Sequence, residues 1–180
     1  MVYLLRHTTP HVEKGICYGQ SDLALDPDLM NEEIAAAVES VRLINVTKIY
    51  TSPLQRCRQL AEAVCEVKGL DAPIVDHRLM ELNFGDWEML TWEAIFAQPE
   101  GKLWFDNFIE QPTLNGECFM DVIERAKSFF EEHEAEEEIL IVTHDGFIRA
   151  TQMLRGELNK ENAFQERYPY GVLKMIDKNE

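Results

Sequence analysis

A chain of 180 residues with 17 Lys and Arg against 33 Asp and Glu carries a formal net charge of −16, which repels nucleic acid and anionic lipid and argues against either as a partner. The length suffices for one domain, residues 1–180, with a core that needs no disulfide. Cys17, Cys57, Cys65 and Cys118 form no C-x-x-C and no zinc-like spacing with a histidine, and no apolar run reaches signal-peptide or membrane-span length, so a cytoplasmic protein is expected.

Val2-Tyr3-Leu4-Leu5 reads as a short buried strand that delivers Arg6 and His7 to its carboxyl end, where Thr8-Thr9-Pro10 stops regular structure. Ligands bind at that edge in open α/β sheets. His11 to Pro27 has Gly, Asp and little periodicity, and predicts a long loop across the same edge. Met30, Ile34, Val38 and Val41 recur at helical spacing, and Lys48 to Thr51 is a second short strand. Ser52 is the expected cap, and Pro53 the expected first residue, of a helix running through Leu54, Leu60, Ala61 and Val64 to Lys68, where Gly69 ends it.

Ile74-Val75 opens a third extended segment that leads through Leu79 to a turn spanning Glu81 to Trp87. Trp92, Phe96, Trp104, Phe105 and Phe108 then fall on two short helices divided by Pro99 and Gly101. Asn115-Gly116-Glu117 precedes a long helix with Met120, Ile123, Ala126 and Phe130 on its apolar face. Its end is acidic, with six glutamates from Glu131 to Glu138 that read as a solvated helix end and loop. Ile139 to Val142 is the cleanest buried-strand run, followed by His144-Asp145-Gly146 and a helix from Phe147 to Leu154. Gly171 to Ile176 is a last, edge strand. Alternating strands and helices predict a three-layer α/β/α sandwich with a mostly parallel central sheet, its strand order left open.

Two histidines, His7 and His144, follow directly on apolar strand runs. If those strands are parallel neighbours, both imidazoles emerge at one edge, with Arg6 beside the first. Arg56, in the first turn of the helix after the second strand, joins them beside a helix N-terminus that favours anions. Two guanidiniums repel a metal cation, but their donors suit the oxygens of a phosphoryl group. The same positive charge disfavours an imidazolium, so His7 is expected neutral and nucleophilic. A leaving alkoxide needs a proton. Glu81, flanked by apolar Leu82 and Phe84, is the candidate acid, its pKa raised by partial burial.

These residues resemble the motifs of the histidine phosphatase superfamily, also called phosphoglycerate mutase-like. Arg6-His7 is similar to its opening Arg-His-Gly, Tyr18 to Asp22 and Leu25 to the loop that follows, and Thr51 to Arg56 to the segment with the second arginine. Glu81 to Glu88 resembles the acid-bearing segment, Gly116-Glu117 the Gly-Glu-Ser helix start, and Val142 to Arg149 the second-histidine motif. The resemblance implies a phosphoglycerate mutase-like fold with no metal or other cofactor. It implies that His7 is phosphorylated in the cycle, that Glu81 is the acid, and that Arg6, Arg56 and His144 hold the phosphate of a small phosphorylated metabolite.

The chain departs from the pattern at Thr8, where the family has Gly, at Pro10, where Thr is common, and at Cys118, where Ser stands in Gly-Glu-Ser. The asparagine expected six residues after the nucleophile is replaced by Glu13, so Thr8, Thr9 or a loop N–H has to supply that ligand. Arg-His-Thr-x-Pro followed by Gly-Ile-Cys-Tyr-Gly-Gln-x-Asp-x-x-Leu looks like the α-ribazole phosphatase subgroup, which acts on α-ribazole 5′-phosphate in cobalamin synthesis. A cofactor-dependent phosphoglycerate mutase is disfavoured, because that group has segments this chain lacks. A broad sugar phosphate or nucleotide phosphatase is the alternative, ahead of a non-catalytic phospho-ligand module. The two-histidine phosphoesterase pattern is met once, by His7-Thr8-Thr9, and no second H-x-T/S follows. Tyr18, Gly19 and Asp145 are further candidate contacts, and the aromatic stretch from Phe84 to Phe108, Trp87 and Trp104 above all, is a candidate platform for a flat leaving group.

Overall fold

The computed structural model describes residues 1–165 and 167–177. Its sheet has five strands, β1 (Val2–Arg6), β2 (Lys48–Thr51), β3 (Ile74–Val75), β4 (Ile139–Thr143) and β5 (Leu173–Ile176), in the order β3-β2-β4-β1-β5. All neighbours are parallel except β5, which runs antiparallel along the β1 edge. Six helices complete the described chain: α1 (Met30–Val41), α2 (Gln55–Lys68), α3 (Trp92–Ala97), α4 (Pro99–Asn107), α5 (Phe119–Glu132) and α6 (Asp145–Leu154). None of them is long and apolar enough to cross a membrane.

Strand periodicity divides the core in two. Leu4, Tyr50, Ile139 and Ile141 face the α3–α6 side, whereas Leu5, Ile49, Leu140 and Val142 face α1 and α2. Helices on both faces explain why β4 is apolar at successive positions and wholly buried. The sandwich with a mostly parallel sheet is therefore as the alternation of elements implied, with β5 at an edge.

Local boundaries differ in informative ways. The α2 helix starts at Gln55, with Leu54 in the cap position and extended, so neither Ser52 nor Pro53 plays the role expected of it. The Ser52 N–H instead continues the sheet to the Val142 carbonyl at 3.1 Å. The first amide of α2 is satisfied by a distant residue: Gln55 N–H donates to Asp22 Oδ1 at 2.7 Å. The buried face of α5 is Phe119, Val122, Ala126 and Phe129, one residue out of phase with the expected stripe, and Met120 is 37% exposed. Runs of apolar residues such as Phe119-Met120 and Phe129-Phe130 satisfy two adjacent stripes equally, and packing against α6 selects one. Helix α6 begins at Asp145, two residues earlier than its apolar pattern. Gly101 lies inside α4, and Pro99 is that helix's first residue, rather than between helices; glycine is needed at 101 because a Cβ there would stand 2.0 Å from the Ile95 carbonyl oxygen of α3.

Candidate active site

The register of β1 against β4 sets Arg6 opposite Thr143. His7 and His144 therefore leave adjacent parallel strands together, with ring centroids 5.0 Å apart, and the His7 N–H still donates to the Thr143 carbonyl. Nδ1 of His7 lies 2.7 Å from the Thr8 carbonyl oxygen. A carbonyl only accepts, so Nδ1 carries the proton and Nε2 keeps its lone pair. Burial, then Arg56 and Arg6, holds the His7 pKa well below its ordinary 6.5, so the ring is neutral. His144 is held low in the same way by burial, Arg56, His7 and Arg6. Its Nε2 lies 2.8 Å from Ser52 Oγ and 3.4 Å from the buried Cys57 Sγ.

Arg56 is fully buried at the second position of α2, where its Nη atoms donate to the carbonyls of Ser21 and Gly19 at 2.7 and 2.6 Å. Arg6 donates to the Tyr168 carbonyl. Both Nε–H groups, and the hydroxyl of Thr8, are buried with no hydrogen-bonding partner among the described residues. Buried donors left this way are costly, and an anion between the two guanidiniums is the chemistry that would satisfy them.

Glu81 reaches the site from the segment after the short 3₁₀ turn His77–Leu79. Its Oε2 accepts from Gly146 N–H at the start of α6 at 3.1 Å, and its Oε1 from Leu82 N–H at 2.9 Å. Burial and the neighbouring Asp145 carboxylate nevertheless push its pKa up, which favours the protonated acid. The approach to Gly146 allows no side chain there, since a Cβ would meet Glu81 Oε1 at 1.9 Å. Behind the segment, Arg125 of α5 donates to the carbonyls of Arg78, Met80 and Glu81 at 2.6, 3.0 and 3.4 Å. It also pairs with Glu117, whose carboxylate accepts from Asn83 N–H. In front, Gln20 Nε2 donates to the Glu81 carbonyl at 2.9 Å, and Glu88 accepts from Gln20 N–H and Ser21 Oγ, tying the long loop to the acid-bearing segment.

Arg6, His7, Arg56 and His144 are thus brought together, with Thr8, Tyr18 and Gly19 around them and Glu81 and Asp145 alongside. Two expectations need correction. Thr9 is not available to a phosphate, because its N–H and hydroxyl both bond the Glu33 carboxylate at 2.7 Å. Trp87 and Trp104 are only 3% and 4% exposed and pack edge to face in the core, so they offer no ring to a leaving group. Asp145 is partly engaged, its Oδ2 paired with Arg149 at 3.0 Å. Ser52, Cys57, Tyr168, Tyr170 and Arg125 were not anticipated. Ser52 was legible as a polar residue just past a strand, but its cap-like setting suggested the wrong partner. The other four reach the site or its support only through chain folding.

A family model of the histidine phosphatase superfamily (branch 1) matches residues 2–176. The chain belongs to that superfamily. It is 34% identical over 128 residues to the bifunctional protein Rv2228c of Mycobacterium tuberculosis, a match covering 69% of this chain and 34% of the relative. The chain therefore corresponds to about a third of that curated relative's length. The mycobacterial glucosyl-3-phosphoglycerate phosphatase superposes with a TM-score of 0.79 at 27% identity, covering 90% of this chain and 82% of that one. A putative α-ribazole-5′-phosphate phosphatase from Escherichia coli superposes with a TM-score of 0.81 at 21% identity, covering 96% and 87%, which is a likeness of fold.

Proposed function

We propose that the chain is a single-domain phosphomonoesterase that needs no metal and works through a phosphohistidine at His7. The observation that carries this reading is the Nδ1–Thr8 carbonyl bond, which leaves Nε2 of a neutral ring as the nucleophile within the field of the buried Arg56 and the half-buried Arg6. In the first step the Nε2 lone pair forms a bond to phosphorus while the ester P–O bond breaks, and the Glu81 proton passes to the departing oxygen. In the second, water attacks the phosphohistidine, Glu81 takes the water's proton, and inorganic phosphate leaves with His7 neutral again. Arg6, Arg56 and His144 bear the equatorial oxygens, and the fixed charge of the two guanidiniums lowers the barrier. The guanidinium pair supplies the charge that a metal ion supplies elsewhere. Thr8 Oγ1, buried and with no partner among the described residues, takes the place of the missing asparagine.

For the substrate, the Arg-His-Thr-x-Pro and Gly19-Gln20-x-Asp22-x-x-Leu25 pattern favours α-ribazole 5′-phosphate. The likeness to a mycobacterial glucosyl-3-phosphoglycerate phosphatase keeps a broader small-metabolite phosphatase as the second reading. The test is hydrolysis of p-nitrophenyl phosphate in EDTA, together with an alkali-stable, acid-labile phosphoryl label trapped on the enzyme. Wild type is expected to turn over and to label at His7, and His7→Ala to do neither. Turnover that survives in His7→Ala, or that requires an added divalent ion, refutes the mechanism. A panel with α-ribazole 5′-phosphate, 3-phosphoglycerate, sugar phosphates and mononucleotides separates the two substrate readings by kcat/KM.

A further inference from the structure

Trp87 and Trp104 are buried, so the part of a substrate beyond its phosphoryl group has to meet other side chains. Two tyrosines stand there. Tyr18, from the loop between β1 and α1, and Tyr170, from the segment ahead of β5, meet with their hydroxyl oxygens 3.0 Å apart. The Tyr170 ring centroid lies 4.1 Å from Arg6 Cζ and 5.4 Å from the His7 ring, and that of Tyr18 lies 5.2 Å from Arg56 Cζ. Each ring thus covers one of the two guanidiniums assigned to the phosphoryl group. Tyr170 is placed by backbone rather than by chance contact: Gly171 N–H, at a φ of +68° that favours glycine, bonds the Arg6 and His7 carbonyls at 3.2 Å. Tyr18 is held from the other side, since the carbonyls of Gly19 and Ser21 in its own loop bind Arg56. Its phenol is raised in pKa mainly by burial, with Tyr170 and Glu81 contributing, so it stays a hydroxyl and lies within the field of the proposed acid.

We infer that Tyr18 and Tyr170 form the leaving-group subsite and select phosphomonoesters of ring-bearing ribosides over those of the bare sugar. This rests on the His7 reading above, which assigns the Glu81 proton to the departing ester oxygen: Tyr18, in contact with Tyr170, lies within the field of that carboxylate. Both tyrosines present aromatic surface already polarised by a guanidinium, and their paired hydroxyls supply a donor and an acceptor for sugar hydroxyls. An entering riboside replaces the Tyr18–Tyr170 hydrogen bond with its own hydroxyls and stacks its base on the rings so parted.

Adenosine 5′-monophosphate and ribose 5-phosphate test this directly, because both release a primary 5′ alcohol and differ in the attached ring. Wild type is expected to favour the nucleotide in kcat/KM by roughly tenfold or more, the scale of one aromatic stack. Tyr170→Leu, which keeps bulk without an aromatic face, is expected to bring the ratio close to one, and Tyr170→Phe to preserve it. A wild-type ratio near one, or a ratio unchanged in Tyr170→Leu, overturns the inference. Trapping of the phosphoryl label on His7 in the same samples keeps the two readings apart: label with no ring preference overturns the tyrosine subsite alone, whereas absence of label in wild type overturns the underlying mechanism.

Discussion

Replacing Gly146 by alanine adds one methyl group, and the structure specifies where it lands. The new Cβ would lie 1.9 Å from Glu81 Oε1 and 3.0 Å from its Cδ. Backbone at the start of α6 is held by the helix, so the carboxylate end of Glu81 is what yields. Stability should change little, by about 1 kcal/mol at most, because alanine is the better helix former by a similar amount. Catalysis should change greatly. General acid catalysis contributes about 10²- to 10⁴-fold, or roughly 2.7–5.4 kcal/mol of barrier. The loss should follow the leaving group. With glycerol 2-phosphate, whose alkoxide needs a proton, kcat/KM, which reports the cleavage of the ester and not the later attack of water, is expected to fall by about that factor. With p-nitrophenyl phosphate, whose phenolate leaves unaided, it should fall less than about tenfold. Inhibition by inorganic phosphate should be retained, since Arg6 and Arg56 are untouched. Equal losses on the two esters, or an undiminished rate on glycerol 2-phosphate, would refute Glu81 as the acid.

Two further outcomes can be measured on the same protein. Arg125→Lys removes the fork that holds three carbonyls behind Glu81. It should cost roughly 1–3 kcal/mol in urea unfolding and lower kcat more than it raises KM, with the larger effect on alkyl esters; a change in KM alone would contradict the positioning role. The pH dependence of stability should show both buried imidazoles. Because their folded pKa values are depressed, the unfolded chain binds protons first, so their contribution is complete above about pH 6.5 and is lost as pH falls below it. The expected slope is up to about 1.36 kcal/mol per pH unit for each imidazole. Glu81 acts with the opposite sign: its pKa is raised, so its contribution is present below the unfolded value of 4.5 and lost as pH rises through the folded one. Replacing His7 and His144 by glutamine should flatten the decline in urea midpoint between pH 7.5 and 5.5, and an unflattened decline would show that other groups cause it.

Features that depend only on order along the chain were legible without coordinates. The runs Val2–Leu5 and Ile139–Val142 are apolar because both sheet faces are covered, and that alone placed His7 and His144 at strand ends and gave the layered α/β class. The positions of Arg6, Arg56 and Glu81 relative to their elements followed, because a motif adjoining a strand or helix start is short-range information. Packing decided the rest. The strand order, the phase of the α5 face, the capping of α2 by Asp22 and the burial of Trp87 and Trp104 all depend on which surfaces meet. The meeting of Tyr18 with Tyr170 across 152 residues is of the same kind, as is the capture of Thr9 by Glu33. No local pattern encodes contacts made by chain segments so far apart, and the partner of a polar side chain is chosen by whichever donor or acceptor the tertiary structure sets within reach.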